Sequence, residues 1–520
     1  MPALLAVAAA IAVAVGGFVA VGGVSTAETA CESSTKVRVA AAPEIAPVLE
    51  TATAALEKDG ADAGGPCVDY QVQALAPEKA SETLAADPAN APALWVPDSS
   101  VWVTRVAQAG ATPATLSQSL AKSPVVVVGP DVKTPASWQE VGMNTVAYLD
   151  PLTSSASTAA LLSAFGEMKV TGASEVEMGS MMVPLAQRYG AQPNKPQTVE
   201  EVAQAAQQGA QGVMTEQQLV ALQKAGSAAG FTAAVPASGT MVLDYPLAAL
   251  SPDESVRDAG SRLGEYLAGP HGAALLAEHG FRDAANTPLA SGEGLGKGSL
   301  NVLPAPDAQA VTNALRQWAV LTVPSRILAV VDVSGSMDFT DGGQARIALA
   351  IEAAEGALKL FPDNGQIGLW AFSVGLGGGN RDYKSLVPTR PLQPSQRGAI
   401  DKALRKLPRM TNGGTGLYDT TLAAIRTAQD DYDARSINSV VLLTDGANDD
   451  PGSLSLDELV NTIQRERDPA RPIQVIAIGM GPDADEHALK KIAGATGGRS
   501  YVARNPSDIS KVFIDAMLAR

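Results

Sequence analysis

Ile327-Leu328-Ala329-Val330-Val331-Asp332-Val333-Ser334-Gly335-Ser336 decides how this chain is read. Residues 327 to 331 are apolar without interruption. A run of that length reads as a strand buried on both faces, as in a parallel sheet. The chain turns polar where such a strand would leave the sheet, and open α/β sheets place their sites at carboxyl ends of strands. Asp332, Ser334 and Ser336 offer three oxygens to one point on a Gly-containing turn. That mix suits a hard divalent cation such as Mg²⁺.

Three oxygens leave an octahedron incomplete. Thr415 lies in the loop Thr411-Asn412-Gly413-Gly414-Thr415-Gly416, just ahead of a helical pattern. Asp445 follows a second apolar run, Val440-Val441-Leu442-Leu443-Thr444. If the two strands are neighbours, the second carboxylate lies beside the first.

The sequence from about 325 to 520 resembles a von Willebrand factor type A (VWA) domain with a complete metal-ion-dependent adhesion site. That family's pattern is Asp-x-Ser-x-Ser, then a Thr in a loop, then an Asp after a later strand. Asp332, Ser334, Ser336, Thr415 and Asp445 fill the five positions. The resemblance implies that Asp332 and Asp445 supply the charge, one of them often through water. It implies direct binding by Ser334 and Ser336, and binding by Thr415 in one state of the site. The ion would be Mg²⁺, or another divalent cation such as Mn²⁺ or Ca²⁺. Its sixth position would be filled by an acidic group of a partner protein.

The rest of this region alternates regularly. An amphipathic helix is expected from Gln344 to Leu360, a strand from Ile367 to Phe372 and a basic helix from Gln396 to Leu407. Helices follow at Tyr418 to Ala434 and Leu456 to Arg465, then a strand at Ile473 to Ile478. A helix at Asp485 to Ala493, an edge strand at Ser500 to Val502 and a helix at Ile509 to Leu518 complete it. Such alternation is a doubly wound, Rossmann-like sheet. Asp449 and Asp450, beside Asn448 in the loop after Asp445, read as solvated acids or as a means of concentrating cations.

The chain has 520 residues, too many for one ordinary domain. Apolar residues make up 46% and aromatics 4%, so Ala, Val and Leu must fill the cores. The net charge of −16 argues against nucleic acid, which demands basic patches.

Residues 1 to 30 read as a membrane anchor or a signal segment. Ala3 to Val24 carries no charge and is long enough to span a bilayer as a helix. Ala and Gly dominate it, and Ser25-Thr26-Ala27 offers small residues for a signal peptidase. An uncleaved single-span anchor with the bulk of the chain on the extracellular face is the expectation; a secreted protein is the alternative. Cys31 and Cys67 are the two cysteines. They are too few for a zinc site. In an exported protein they would form a disulfide worth about 2–4 kcal/mol; in a cytosolic one they would stay as thiols.

From Cys31 on, strands and helices alternate again. Lys36 to Ala40, Val68 to Leu75, Ala93 to Val96, Pro124 to Val128 and Met241 to Tyr245 read as strands. Leu267-Ala268-Gly269-Pro270-His271-Gly272 and the helical run to Gly280-Phe281 resemble the C-terminal part of bacterial extracellular solute-binding proteins of the type II periplasmic fold. The resemblance implies a two-lobed α/β domain over 31–300. One lobe would be 36–124 plus 242–300, the other 129–238, with crossings at Val125–Val128 and Val242–Tyr245. It implies a small solute in the cleft. Glu44, Ser99, Ser100 and Ser123 are the candidate ligands, each equally a cap or turn residue.

Residues 197 to 224, rich in Gln, Ala and Glu, read as solvated helix without chemistry. Residues 301–324 read as a linker and a helix capped by Asp307, with Val311, Leu315 and Trp318 on one face. The VWA-like domain is expected over 325–520.

No Gly-x-Ser-x-Gly elbow appears, His271 and His279 lie at opposite ends of one helical stretch, and His487 begins a helix; each reads as an ordinary surface or cap residue, so no enzyme is expected. The expected function is binding. A cell-surface protein would hold a divalent cation and, through it, an acidic group of a partner. A solute receptor acting through the two-lobed domain is the alternative.

Overall fold

The computed structural model describes residues 34–62, 67–87, 90–170, 175–290, 294–296, 300–341, 343–504, 508 and 512. The expected N-terminal anchor or signal segment and Cys31 lie outside them. Among the described residues no helix is long and apolar enough to cross a membrane.

The first half of the chain builds two sheets. The strands β1 (Ser34–Ala41), β2 (Cys67–Ala74), β3 (Leu94–Val96) and β4 (Ala114–Ser117) join a later strand, β10 (Leu247–Ala249), in the order β2-β1-β3-β10-β4. The second sheet holds β5 (Ser123–Gly129), β6 (Val146–Ala147), β7 (Gln211–Thr215) and β8 (Thr232–Ala234), in the order β6-β7-β5-β8. β5 is buried along its whole length, as its Val run predicts. β9 (Val242–Leu243) pairs with β5, and β10 (Leu247–Ala249) returns to the first sheet.

Three expectations are corrected here. Met241 to Tyr245 does not form one strand. Tyr245 adopts φ +40°, a left-handed turn that divides β9 from β10. Residues 197 to 224 are not all solvated helix. Two helices, Val199–Gln207 and Glu216–Lys224, flank β7, whose Gly212 to Thr215 are buried. In the second half, the helix expected from Gln344 begins at Arg346.

The helix Ala308–Leu321 is capped by Asp307, whose carboxylate accepts from Ala310 N at 2.8 Å. Val311, Leu315 and Trp318 are buried as expected. The helix docks on the second lobe. The Trp318 ring stands 5.4 Å from Tyr189 and 6.1 Å from Tyr148, and its indole N–H donates to Asp150 at 3.2 Å. Gln187 donates to Leu321 O at 2.5 Å. Thr312 also reaches Gln108, in the helix Ser100–Gln108 of the first lobe, at 3.2 Å.

The next strand, β11 (Ser325–Asp332), starts four residues after that helix ends. The hairpin β12 (Thr340–Asp341) and β13 (Gln344–Ala345) follows. Then come β14 (Gln366–Phe372), β15 (Tyr383–Pro391), β16 (Ile437–Thr444), β17 (Gln474–Met480) and β18 (Ser500–Ala503). Their order is β15-β14-β11-β16-β17-β18. All pairs are parallel except β14 with the edge strand β15. The strand period sends alternate side chains to opposite faces. Ile327 and Val331 join one apolar core, and Leu328 and Val330 the other. Helices cover both faces, which is why the strand is apolar throughout. β11 has β14 on one side and β16 on the other, so it marks the point where strand order reverses.

Candidate functional site

Asp332 ends β11 fully buried. Val333 N still donates to Phe372 O, so the backbone holds its course for one more residue before turning. Ser334 N donates to Asp332 Oδ1 at 2.7 Å, and Thr444 Oγ1 to Asp332 Oδ2 at 2.5 Å. Burial nevertheless pushes the Asp332 carboxyl up to about 6; those hydrogen bonds oppose the shift, and the nearby Asp445 charge adds to it.

The remaining oxygens form a chain. Ser334 Oγ lies 3.1 Å from Ser336 Oγ, which donates to Asp445 Oδ1 at 2.7 Å. Asp445 follows β16 directly, beside β11, so parallel pairing sets the two carboxylates side by side. Thr415 comes from the third loop. Asn412 N donates to Val333 O, Gly335 N to Gly413 O and Asp449 N to Thr415 O, which ties the three loops together. A Cβ on Gly446 would stand 3.8 Å from Thr415 Oγ1 and 4.0 Å from Ser336 Oγ, so the two hydroxyls share one corner. Gly414 is needed for this closeness: a Cβ there would come within 2.4 Å of Asp449 O.

Asp332, Ser334, Ser336, Thr415 and Asp445 are thus brought together. The donor set is all oxygen, two carboxylates and three hydroxyls, and it fits a hard divalent cation. Asn448, expected among loose acids, is a helix cap. Its Oδ1 accepts from Leu417 N at 2.9 Å and Tyr418 N at 3.1 Å. Asp382, Asp419 and Asp450 gather within 4.8 Å of one another nearby, each accepting from a backbone N–H.

One functional side chain escaped the sequence reading. Arg346 Nη1 donates to Asp445 Oδ2 at 2.9 Å and Nη2 to Asp483 Oδ2 at 2.8 Å. Its only sequence signal was a basic residue at a helix start, where the helix dipole disfavours one.

The four cleft candidates take internal partners. Ser99 caps the helix Ser100–Gln108 by accepting from Val101 N at 3.3 Å. Ser100 N donates to Asp244 Oδ1 at 2.8 Å. Glu44 Oε1 accepts from Tyr245 Oη at 3.1 Å. Ser123 accepts from Gln217 N at 2.9 Å. Asp98, beside Ser99, accepts from Ser155 Oγ at 2.7 Å, and Ser155 accepts from Trp102 Nε1 at 2.8 Å. That relay joins the two lobes. Burial raises the Asp98 carboxyl well above its ordinary range, and the Glu44 charge adds to it. Glu44 and Asp244 are raised as well, chiefly by burial.

Another polar link between the lobes is Arg282 with Glu216, both buried. Arg282 Nε lies 2.5 Å from Glu216 Oε2, and Nη2 lies 3.1 Å from Oε1.

The family model for bacterial extracellular solute-binding proteins matches residues 37–282. The model for the von Willebrand factor type A domain matches 327–514. The chain joins a solute-binding domain to a VWA domain. Two uncharacterized Mycobacterium tuberculosis proteins, from strains CDC 1551 and H37Rv, are each 30% identical to it over 301 residues. Those alignments cover 55% of this chain and 42% of each relative, so the chain spans less than half the length of the curated relatives it matches. Among solved structures, a von Willebrand factor type A protein from Catenulispora acidiphila is 23% identical, covering 38% of this chain and 42% of that one, with a TM-score of 0.30. The sulfate-binding protein SubI from Mycobacterium tuberculosis H37Rv is 17% identical, covering 49% and 90%, with a TM-score of 0.36.

Proposed function

We propose that this is a cell-surface binding protein whose VWA domain holds a divalent cation and, through it, an acidic group of a protein partner. Asp332 carries the reading. Its buried carboxylate, destabilised as an anion and set among four further oxygen donors, gains its charge balance from a dication. Asp332 and Asp445 would supply the charge, with Ser334, Ser336 and Thr415 as neutral oxygens. Mg²⁺ is the expected ion, and Mn²⁺ or Ca²⁺ satisfies the same donor chemistry. A partner's carboxylate would complete the shell, which is binding and not catalysis. The solute-binding domain suggests a secreted or surface location. The proposed attachment is a single-pass anchor in the N-terminal segment, with a secreted form as the alternative.

The test is calorimetric titration of Mg²⁺ into the protein and into an Asp332→Ala variant. Binding should vanish in the variant while its far-UV circular dichroism stays native. Equal binding by both proteins would sink the proposal.

The second reading, a solute receptor, rests on the two lobes. A thermal-shift screen of cationic, neutral and anionic solutes tests it, and a specific shift with one of them would favour it.

A further inference from the structure

A cavity of about 500 Å³ opens where the second lobe, the helix Ala308–Leu321 and the VWA domain meet. Trp138, Leu161 and Leu185 line it from three helices of the second lobe, and Trp318 from the helix Ala308–Leu321. Phe361 and Pro362 line it from just beyond the helix Arg346–Leu360. None of the four cleft candidates and none of the five oxygen donors belongs to this lining. Small-molecule sites run from roughly 300 to 1,000 Å³ and are mostly apolar, with a few polar groups that orient the guest. Close-packed interiors leave few voids larger than a water, so apolar space on this scale exceeds packing slack.

The charged residues of the lining are both cations. Arg188 is exposed and gives its guanidinium to backbone carbonyls: Nε to Pro184 O at 3.3 Å, Nη1 to Met143 O at 3.4 Å, and Nη2 to Gly142 O. Lys359 is exposed in the last turn of its helix. Neither makes an ion pair among the described residues. In a chain of 38 basic and 54 acidic residues, a wall with two cations and no acid selects an anion. Met143, 74% exposed, shares the lining with Arg188, and its flexible thioether can adapt to an alkyl guest. We propose that this cavity binds a single-chain anionic amphiphile, a fatty acid, with its alkyl chain against Trp138, Leu161 and Trp318 and its carboxylate toward Arg188 and Lys359. Such a guest touches the second lobe, the docked helix and the VWA domain at once, and so braces them against one another.

The experiment titrates octanoate, decanoate and dodecanoate into the full chain by calorimetry, below their micellar concentrations. Dodecyltrimethylammonium and dodecyl maltoside serve as cationic and neutral controls. One dodecanoate should bind per chain, and each methylene added from octanoate on should tighten binding about threefold to fourfold. Both controls should bind at least about tenfold more weakly. Ala160→Phe puts a ring into the cavity wall and should abolish binding while circular dichroism stays native. Lys359→Gln, at an exposed position, should weaken dodecanoate about threefold and leave the gain per methylene unchanged. Absence of saturable dodecanoate binding, or equal binding of the three head groups, would overturn the proposal. Undiminished binding by Ala160→Phe would overturn it too; should that variant not fold, an unchanged affinity in Lys359→Gln does the same. Binding to phosphatidylglycerol vesicles without any binding of monomeric dodecanoate would assign the surface to a membrane, and would equally overturn it.

Discussion

Cation binding should weaken about tenfold between pH 7 and pH 5, because the metal and a proton compete for Asp332. The perturbation is pH alone. Burial pushes the Asp332 carboxyl up to about 6. A group titrating there is roughly nine-tenths ionised at pH 7 and one-tenth at pH 5, and only the ionised form is a ligand. An ordinary aspartate would lose roughly a tenth of its affinity over the same range. The assay is Mg²⁺ calorimetry at several pH values, with proton release measured from the buffer dependence of the heat. The same shift has the opposite sign for the metal-free fold. A carboxyl raised from 3.8 to about 6 contributes stability that is fully present below pH 3.8 and lost as pH rises through about 6. That loss is of the order of 3 kcal/mol, and saturating Mg²⁺ should offset it at pH 7. An affinity that is the same at pH 5 and pH 7 would refute the argument.

Two further outcomes are expected. Arg282→Met leaves Glu216 buried without its cation and should cost about 3–5 kcal/mol in urea denaturation; adding Glu216→Gln to it should recover part of the loss, whereas equal losses in the single and double variants would contradict the pairing. Gly414→Ala forces the Thr415 loop away from Asp449 and should lower Mg²⁺ affinity at least about tenfold by misplacing a ligand, a result checked by calorimetry on protein with native circular dichroism.

The sheet that carries the candidate metal site was legible because its information is local. Buried parallel strands must be apolar along their length, and β11 and β16 are, until each ends in an aspartate. The loop with Thr415 was legible from its glycines. Arg346 was not, because a basic residue near a helix start looks like any surface cation until the chain 99 residues later brings Asp445 against it. Glu216 was hidden in the same way. It sits in a Gln-rich stretch that reads as solvated, and its partner lies 66 residues on. The break at Tyr245 was missed because Met241 to Tyr245 are all strand-compatible by type except Asp244. With the turn made, the Tyr245 hydroxyl reaches the Glu44 carboxylate 201 residues away, a contact that no local pattern announces. The cleft serines were assigned by position at strand ends, and position could not tell a ligand from a helix cap.

The docking of Ala308–Leu321 decides where this chain can be cut. A recombinant piece stopping at residue 300 would strip Trp318 from Tyr148 and Tyr189 and uncover an aromatic face prone to stick. One stopping near residue 323 keeps that face sealed and still frees β11 for the distal half. The three residues between helix and strand, Thr322 to Pro324, are also too few to act as a loose tether, so a pull on one half should be felt by the first residue of the other.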